Sequence, residues 1–258
     1  MNETPTYTQG APAWFDMTVA DLAATKRFYS TVLGWEFSDD AYSMASTGGK
    51  RVAGLAEPWS EGQAPPEQSN WTVYLATDDI DATLNAAEKA GGEIITARQD
   101  ADDAGSMATV REPTGTVFAL WQGNTMAGAE AFGTPGAPAW AEVATDDTQT
   151  AGDFYAEVFG GRTEQLPEGD FLVLYSGGTP VAGIDGTGVG QPHTGHGAWL
   201  VFFAVSDADA AVATAQEQGG SVLRAAEDSP YGRWAALTDP TGAPFSVIDL
   251  SRTTQDEG

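Results

Sequence analysis

The chain repeats a series of short motifs at a nearly constant spacing of 126 to 128 positions. The pairs of motifs that carry the repeat are Ala11-Pro-Ala-Trp14 and Ala137-Pro-Ala-Trp140, Phe28-Tyr29 and Phe154-Tyr155, and Glu112-Pro-Thr-Gly115 and Asp239-Pro-Thr-Gly242. A solenoid repeat is about 20 to 50 residues long, whereas a period above about 100 residues has the size of a small domain. The sequence therefore predicts one module that is present twice in tandem.

The repeat also predicts where the modules begin and end. Module 1 is expected at residues 13–122 and module 2 at residues 139–249, after an N-terminal arm at 1–12. Residues 123–138 are rich in small side chains, which is typical of a linker. The last residues from Ser251 carry no apolar side chain, so 250–258 is expected to be a frayed tail.

The order of patterns within each module is typical of an α+β fold. Alternating residues at 14–19 predict a strand, and Asp21 is placed to cap a helix that ends at Gly34. A strand at 71–77 precedes a second helix, which Asp79 begins and Gly91 ends. Further strands flank glycine-containing turns, and module 2 repeats the whole order.

Strand parity sorts the side chains of each predicted sheet into two faces. One face is apolar and is expected to pack under the helices. The other face mixes aromatic residues with a few polar ones, which is typical of the wall of a ligand cavity. This second face comprises Trp14, Asp16, Thr18, Thr72, Tyr74, Ala119 and Trp121 in module 1, and Trp140, Glu142, Leu200, Phe202, Ser246 and Ile248 in module 2.

The charge of the chain argues against several classes of partner. Its 11 basic and 37 acidic residues give a formal net charge of −26, which repels phosphate backbones and anionic lipid headgroups. Cysteine is absent, so disulfides and thiolate chemistry are excluded. No apolar run approaches the ~20 residues that a membrane-spanning helix needs. We therefore expect a cytoplasmic protein with a small-molecule ligand and with no nucleic acid or membrane partner.

An ordered set of motifs links both modules to a known superfamily. In module 1 they are Val19-Ala-Asp21, Phe28-Tyr29, Leu33-Gly-Trp35, Asp78-Asp-Ile-Asp81, Gly91-Gly92 and Glu112-Pro-Thr-Gly115, with counterparts in module 2. This set resembles the vicinal oxygen chelate superfamily of glyoxalases, bleomycin-resistance proteins and extradiol dioxygenases, and in particular its two-module, glyoxalase-like actinobacterial subgroup. The resemblance implies paired βαβββ units in each module, with curved mixed sheets around a concave cleft.

The same resemblance implies where a divalent metal would bind. The family usually places His, Gln and Glu at these positions, which here hold Trp14, Thr72 and Ala119 in module 1, and Trp140, Leu200 and Ser246 in module 2. A catalytic metal needs two or three nitrogen or oxygen ligands and an open position. Only the hydroxyls of Thr72 and Ser246 are donors, and weak ones. We therefore predict no metal site and no other cofactor.

The cavity face supplies the candidate ligand-binding residues. Its aromatic walls are expected from Trp14, Tyr74, Trp121, Trp140 and Phe202, with Thr72 and Ser246 beside them and Arg233 at the mouth. The equivalent carboxylates Asp16 and Glu142 could anchor a ligand or act as general bases, because partly apolar surroundings raise a carboxyl pKa. The alternatives are core packing for the tryptophans, a structural role for the acids with Thr, Tyr or Arg partners, and surface packing or an ion pair for Arg233.

Two histidines leave a further possibility open. His193 and His196 are the only histidines and lie in a glycine-rich loop at 186–197. A zinc site needs three or four ligands, so this pair alone is a weak signal for a metal. An exposed loop, a lid or proton-transfer role, and a displaced metal site are the alternatives.

Together these observations predict a glyoxalase- and bleomycin-resistance-like protein that lacks the family metal site and binds a small apolar or aromatic molecule. The alternative is an enzyme of lyase, hydroxylase or dioxygenase type that acts metal-free through Asp16 and Glu142, or with a displaced metal. A structural protein whose cleft is filled is the third reading. The sequence is compatible with a monomer whose modules are related by a pseudo-twofold axis and with a homodimer.

Overall fold

The computed structural model describes residues 7–58, 69–167, 169–187 and 197–254. Within these ranges the two halves contain the same elements in the same order. Module 1 has β1 (Pro12–Thr18), α1 (Leu22–Leu33), β2 (Glu36–Phe37), β3 (Tyr42–Thr47), β4 (Lys50–Ala56), β5 (Thr72–Ala76), α2 (Ile80–Lys89), β6 (Glu93–Ala101), β7 (Gly105–Arg111) and β8 (Val117–Gly123). Module 2 has β9 (Pro138–Ala144), α3 (Thr148–Phe159), β10 (Arg162–Gln165), β11 (Phe171–Ser176), β12 (Thr179–Asp185), β13 (Ala198–Ala204), α4 (Ala208–Glu217), β14 (Ser221–Ser229), β15 (Gly232–Thr238) and β16 (Pro244–Asp249). Each module is therefore two βαβββ units, and the predicted α+β fold is confirmed.

Each module forms one eight-stranded mixed sheet. The strand order is β2-β3-β4-β1-β5-β8-β7-β6 in module 1 and β10-β11-β12-β9-β13-β16-β15-β14 in module 2. The first strand of each βαβββ unit pairs in parallel with the last strand of the same βαβββ unit, as β1 with β4 and β13 with β16. A parallel pair requires a crossover connection, and here the crossover contains the helix.

The helix ends follow local sequence signals. Asp21, Asp79, Asp147 and Asp207 each precede a helix and accept a hydrogen bond from the backbone N–H three residues later. Such N-caps pair an N–H group that the helix itself leaves unpaired. α1 and α3 end at Gly34 and Gly160, whose φ values of 71° and 65° lie in the left-handed region that glycine adopts without strain.

The chain divides into two compact units, and each unit takes parts of both modules. Unit 1 comprises Met1–Phe15, Thr72–Ala129 and Ala141–Trp199, and unit 2 comprises Asp16–Trp71, Glu130–Trp140 and Leu200–Gly258. Unit 1 thus joins the second βαβββ unit of module 1 to the first of module 2, and unit 2 joins the other two. The module limits at 13–122 and 139–249 describe the repeat, and their role as separate domains stays a prediction.

The packing of aromatic rings explains this exchange. In unit 1, Phe118 on β8 contacts the rings of Phe154 and Tyr155 on α3, which belongs to the other module. In unit 2, Phe245 on β16 likewise contacts Phe28 and Tyr29 on α1. The helices of one module therefore cover the apolar sheet face of the other. The residues expected on this apolar face are buried, as predicted: Val73, Leu75, Phe118, Leu120, Val201, Phe203, Phe245 and Val247.

The small-residue segment between the modules is packed within each unit. In unit 1 the N–H of Ala129 donates to the carbonyl of Ala13 at 2.7 Å. In unit 2 the indole Nε1 of Trp35 donates to the carbonyl of Gly136 at 2.5 Å, and the Glu130 carboxylate pairs with Arg51. This segment has the composition of a linker, but it makes specific contacts at Ala129, Glu130 and Gly136.

None of the described helices has both the length and the apolar character that crossing a membrane would require.

Candidate functional site

The sheet face of unit 2 that points away from the helices carries a cluster of apolar side chains. Leu200, Phe202 and Ile248 are buried in it, and the side chains of Ala139, Trp140 and Trp234 pack against them. We call these six residues the aromatic wall. Both tryptophans remain half-buried, whereas the three residues behind them are at most 6% exposed. The wall therefore has a buried floor and two partly accessible indole rings.

Strand register explains why these residues share a face. Phe202 on β13 lies opposite Ser246 on β16, and Trp234 on β15 lies opposite Ile248. Directly paired residues of neighbouring strands point to the same side of a sheet. The predicted common face of Leu200, Phe202, Ser246 and Ile248 is thus present in the structure.

Trp234 is a wall residue that was not predicted from the sequence pattern. Its ring centroid lies 5.7 Å from that of Phe202, and the guanidinium carbon of Arg224 lies 5.1 Å from the centre of the same indole. Arg224 also forms an ion pair with Glu227 at 2.7 Å. Alternation of side chains along β15 could have placed Trp234 on this face, where the structure pairs it with Ile248.

Ser246 lies on β16, between the wall strands β13 and β15. Its side chain is buried, and its Oγ has no hydrogen-bond partner among the described residues. A buried hydroxyl without a partner costs about 1–3 kcal/mol. A ligand atom that paired with Oγ would recover part of this cost.

The equivalent face of module 1, in unit 1, is more closed. Trp14, Tyr74 and Trp121 are 2%, 8% and 4% exposed, and Thr72 is half-buried. The Trp121 Nε1 donates to the carbonyl of Met126 at 2.9 Å, and its ring meets Tyr74 edge to face at 6.4 Å. These rings are packed as core, so among the tryptophans that the structure describes the accessible indoles belong to module 2.

The two candidate carboxylates lie in similar settings that differ by one hydroxyl. In unit 2, the Tyr42 hydroxyl donates to Asp16 Oδ2 at 3.1 Å, and the Tyr42 ring fills the space that a Cβ on Gly54 would need. In unit 1, Phe171 lies over Gly183 beside Glu142 in the same way. In both copies the glycine lets the aromatic ring approach the strand closely. The ring beside Asp16 is a tyrosine with a hydroxyl to donate, whereas the ring beside Glu142 is a phenylalanine.

Arg233 is engaged on the other side of its strand. Its guanidinium binds Asp209 of α4 at 2.7 Å and Asp228 at 3.1 Å, and these hydrogen bonds raise the pKa of Arg233. Because neighbouring residues of a strand point to opposite faces, Arg233 does not lie on the wall face with Trp234. Its contact with a ligand at the cleft mouth stays a prediction.

The side chains at the positions where the resemblance implies metal ligands do not fit a metal ion. Indole, alanine and leucine side chains present no lone pair to a cation, which leaves one hydroxyl per module. Among the described residues, no three His, Cys, Asp or Glu side chains come together as possible ligands. His193 and His196 lie outside the described residues.

These features and the sequence agree on one family. The profile of the Glyoxalase/Bleomycin resistance protein/Dioxygenase superfamily matches residues 11–120 and 137–247, and the chain belongs to that superfamily. It is 40% identical to the anthracycline biosynthesis protein DnrV of Streptomyces peucetius, over 95% of this chain and 94% of DnrV. It is 39% identical to the anthracycline biosynthesis protein DauV of Streptomyces sp. strain C5, with the same coverage.

Solved structures of the superfamily share the fold at low sequence identity. The Mn(II)-bound glyoxalase from Novosphingobium aromaticivorans superposes with a TM-score of 0.65 at 16% identity, covering 97% of this chain and 87% of that one. The 2,3-dioxygenase LapB from Pseudomonas sp. KL28 gives 0.63 at 14% identity, covering 94% and 93%. At such identities the likeness extends to the fold alone.

Proposed function

We propose that this protein binds a planar aromatic molecule against the aromatic wall of unit 2, and that it does so without a metal. The observation that carries the proposal is the pair of half-buried indoles, Trp140 and Trp234, on a buried floor of Leu200, Phe202 and Ile248. Trp140 and Leu200 stand at positions where the resemblance to the superfamily implies metal ligands. The wall offers stacking area at that place and lacks the donor atoms that a metal needs.

The named relatives favour a fused-ring ligand. DnrV and DauV are named for the biosynthesis of anthracyclines, which are fused-ring aromatic compounds. Aromatic side chains each bury about 150–250 Å² when covered, so two indoles can bury much of a flat ring system. Small-molecule sites usually combine apolar side chains with a few polar groups, and the hydroxyl of Ser246 is the polar group beside the wall.

The test is a titration with a dihydroxyanthraquinone, followed by quenching of tryptophan fluorescence and by calorimetry. Protein purified without tags is compared before and after dialysis against a chelator, with its metal content measured by elemental mass spectrometry. We expect saturable binding that the chelator does not change, and far less than one equivalent of any transition metal. A probe at 100 times its Kd should add about 2.7 kcal/mol of stability. Binding that requires a stoichiometric metal would contradict the proposal.

A second candidate is a metal-free enzyme in which Asp16 accepts a proton. It is favoured by the hydrogen bond at 3.1 Å that the Tyr42 hydroxyl donates to Asp16, because this contact fixes the carboxylate on the strand face that points away from the helices. A positioned general base contributes about 10²- to 10⁴-fold to a rate.

Asp16→Asn is the variant that tests this candidate. For any aromatic compound that the protein consumes, it should lower turnover by about 10²-fold or more and leave the Kd nearly unchanged, since the amide keeps the shape but not the basicity. Product formation by chromatography and binding by calorimetry measure the two quantities. Unchanged turnover would assign Asp16 a structural role with Tyr42.

A further inference from the structure

A stacked arginine extends the aromatic wall across its sheet. Arg224 on β14 lies opposite Ala236 on β15, Ala236 lies opposite Ser246 on β16, and Ser246 lies opposite Phe202 on β13. These four residues form one row on one face, and neighbouring strands are about 4.8 Å apart, so the row spans about 14 Å. The row has a cation at one end, an aromatic ring at the other and two small side chains between them.

The other copy of the module provides an internal comparison, because the register of its strands is the same. Thr96 lies opposite Thr109 and Gln99 opposite Met107, in the pattern of Arg224 opposite Ala236 and Glu227 opposite Trp234. Thr96, Gln99 and Met107 therefore stand where module 2 has Arg224, Glu227 and Trp234. The cation, its carboxylate partner and the indole beneath it are present together in one copy and absent together from the other. This concerted difference favours a shared role over three separate surface substitutions.

The acidic character of the chain makes a cation at the wall important for the choice of ligand. A chain with a formal net charge of −26 repels an anionic ligand unless a cation lies at its site. The Arg224 side chain is 31% exposed, its guanidinium carbon lies 5.1 Å from the centre of the Trp234 ring, and its Nη2 pairs with Glu227. A guanidinium binds a carboxylate through two parallel hydrogen bonds, which a neutral amide cannot reproduce.

We propose that Arg224 determines the specificity of the wall and selects planar aromatic carboxylates over neutral and cationic analogues of the same shape. The ring system stacks on Trp140 and Trp234, and the carboxylate takes N–H donors of Arg224 in competition with Glu227. This inference rests on the proposed function, since it names the ligand class of the same site.

Three matched probes test it: anthraquinone-2-carboxylate, its neutral carboxamide and its cationic aminomethyl analogue. Their Kd values are measured by tryptophan fluorescence and calorimetry. We expect the wild-type protein to bind the carboxylate at least about tenfold more tightly than the carboxamide, since a hydrogen bond to a charged group contributes that much or more. Arg224→Gln should remove this preference and change the Kd of the carboxamide little. Glu227→Gln should tighten carboxylate binding, because it removes the competing anion.

Arg162→Gln is the matched control. Arg162 lies 4.1 Å from the ring centre of Tyr175 and pairs with Glu164 at 2.9 Å, so its replacement removes the same charge and the same kind of stack in unit 1. It should leave all three Kd values unchanged. If Arg224 only supported Trp234, Arg224→Gln would weaken carboxylate and carboxamide equally, and this outcome overturns the inference.

The failures of the two proposals are distinguishable. Equal wild-type affinity for all three probes overturns the role of Arg224 and leaves the aromatic site intact. Absence of binding by every probe contradicts the proposed function, and the specificity inference with it.

Discussion

Trp234→Ala is expected to weaken the binding of a planar aromatic probe by at least about thirtyfold. Trp234 contacts Phe202, stands opposite Ile248 and carries Arg224 on its ring, so its removal takes away both a stacking surface and the support of a neighbouring cation. Truncation of a tryptophan at the centre of a binding site commonly costs about 2 kcal/mol or more, which is a thirtyfold change in Kd. Fluorescence of the remaining tryptophans and calorimetry measure the change.

Two further variants separate binding from folding. Trp234→Phe keeps an aromatic ring and should retain most of the affinity. Tyr175→Ala removes an equally half-buried aromatic ring beneath an arginine in unit 1, and it should leave the Kd unchanged. Each variant is checked by its thermal unfolding. A Trp234→Ala protein that folds and still binds with wild-type affinity would locate the ligand elsewhere.

The parity of the strands allowed much of the wall to be predicted. A repeat of known register places Leu200, Phe202, Ser246 and Ile248 on one face, because their strands are short and strongly patterned. The repeat does not indicate Trp234, because its counterpart Met107 in module 1 is not aromatic. The accessibility of each indole could not be predicted from the sequence either. It depends on the packing of the neighbouring strands.

The fold was predicted where the signals are local. The aspartate caps and glycine ends of the helices are written within a few residues, and the structure contains them. Strand β6, at Glu93–Ala101, was not predicted, because most of its residues are exposed and it lacks an apolar alternation. The exchange of helices between modules could not be predicted either. It depends on contacts such as Phe118 with Phe154, which join positions that are far apart in the chain.

Asp239→Ala is expected to lower the free energy of unfolding by about 3 kcal/mol or more. Asp239 is buried, and its Oδ1 accepts hydrogen bonds from the Thr241 N–H at 2.8 Å, the Thr241 hydroxyl at 2.6 Å and the Ala243 N–H at 3.0 Å. Its Oδ2 accepts from the Tyr29 hydroxyl at 3.3 Å. Alanine leaves these donors without a partner, and each buried unpaired group costs about 1–3 kcal/mol. Urea unfolding measures the loss, and a change below experimental error would contradict this account.

Asp239→Asn separates the hydrogen bonds from the charge. Its amide oxygen can still accept the three hydrogen bonds of the turn, so we expect a much smaller loss than with alanine. Burial raises the pKa of the Asp239 carboxyl, which means that the folded state binds this proton more tightly than the unfolded state does.

The sign of the pH dependence follows from that shift. Below the unfolded pKa, near the ordinary value of 3.8, Asp239 is protonated in both states and its contribution to stability is fully present. As the pH rises through the folded pKa, that contribution is lost in the wild type but not in Asp239→Asn, whose amide does not titrate. The variant should therefore gain stability relative to the wild type as the pH rises through this acidic window. Urea unfolding of both proteins at several acidic pH values measures the difference. Parallel curves of unfolding free energy against pH would show that burial does not shift the pKa of this carboxyl.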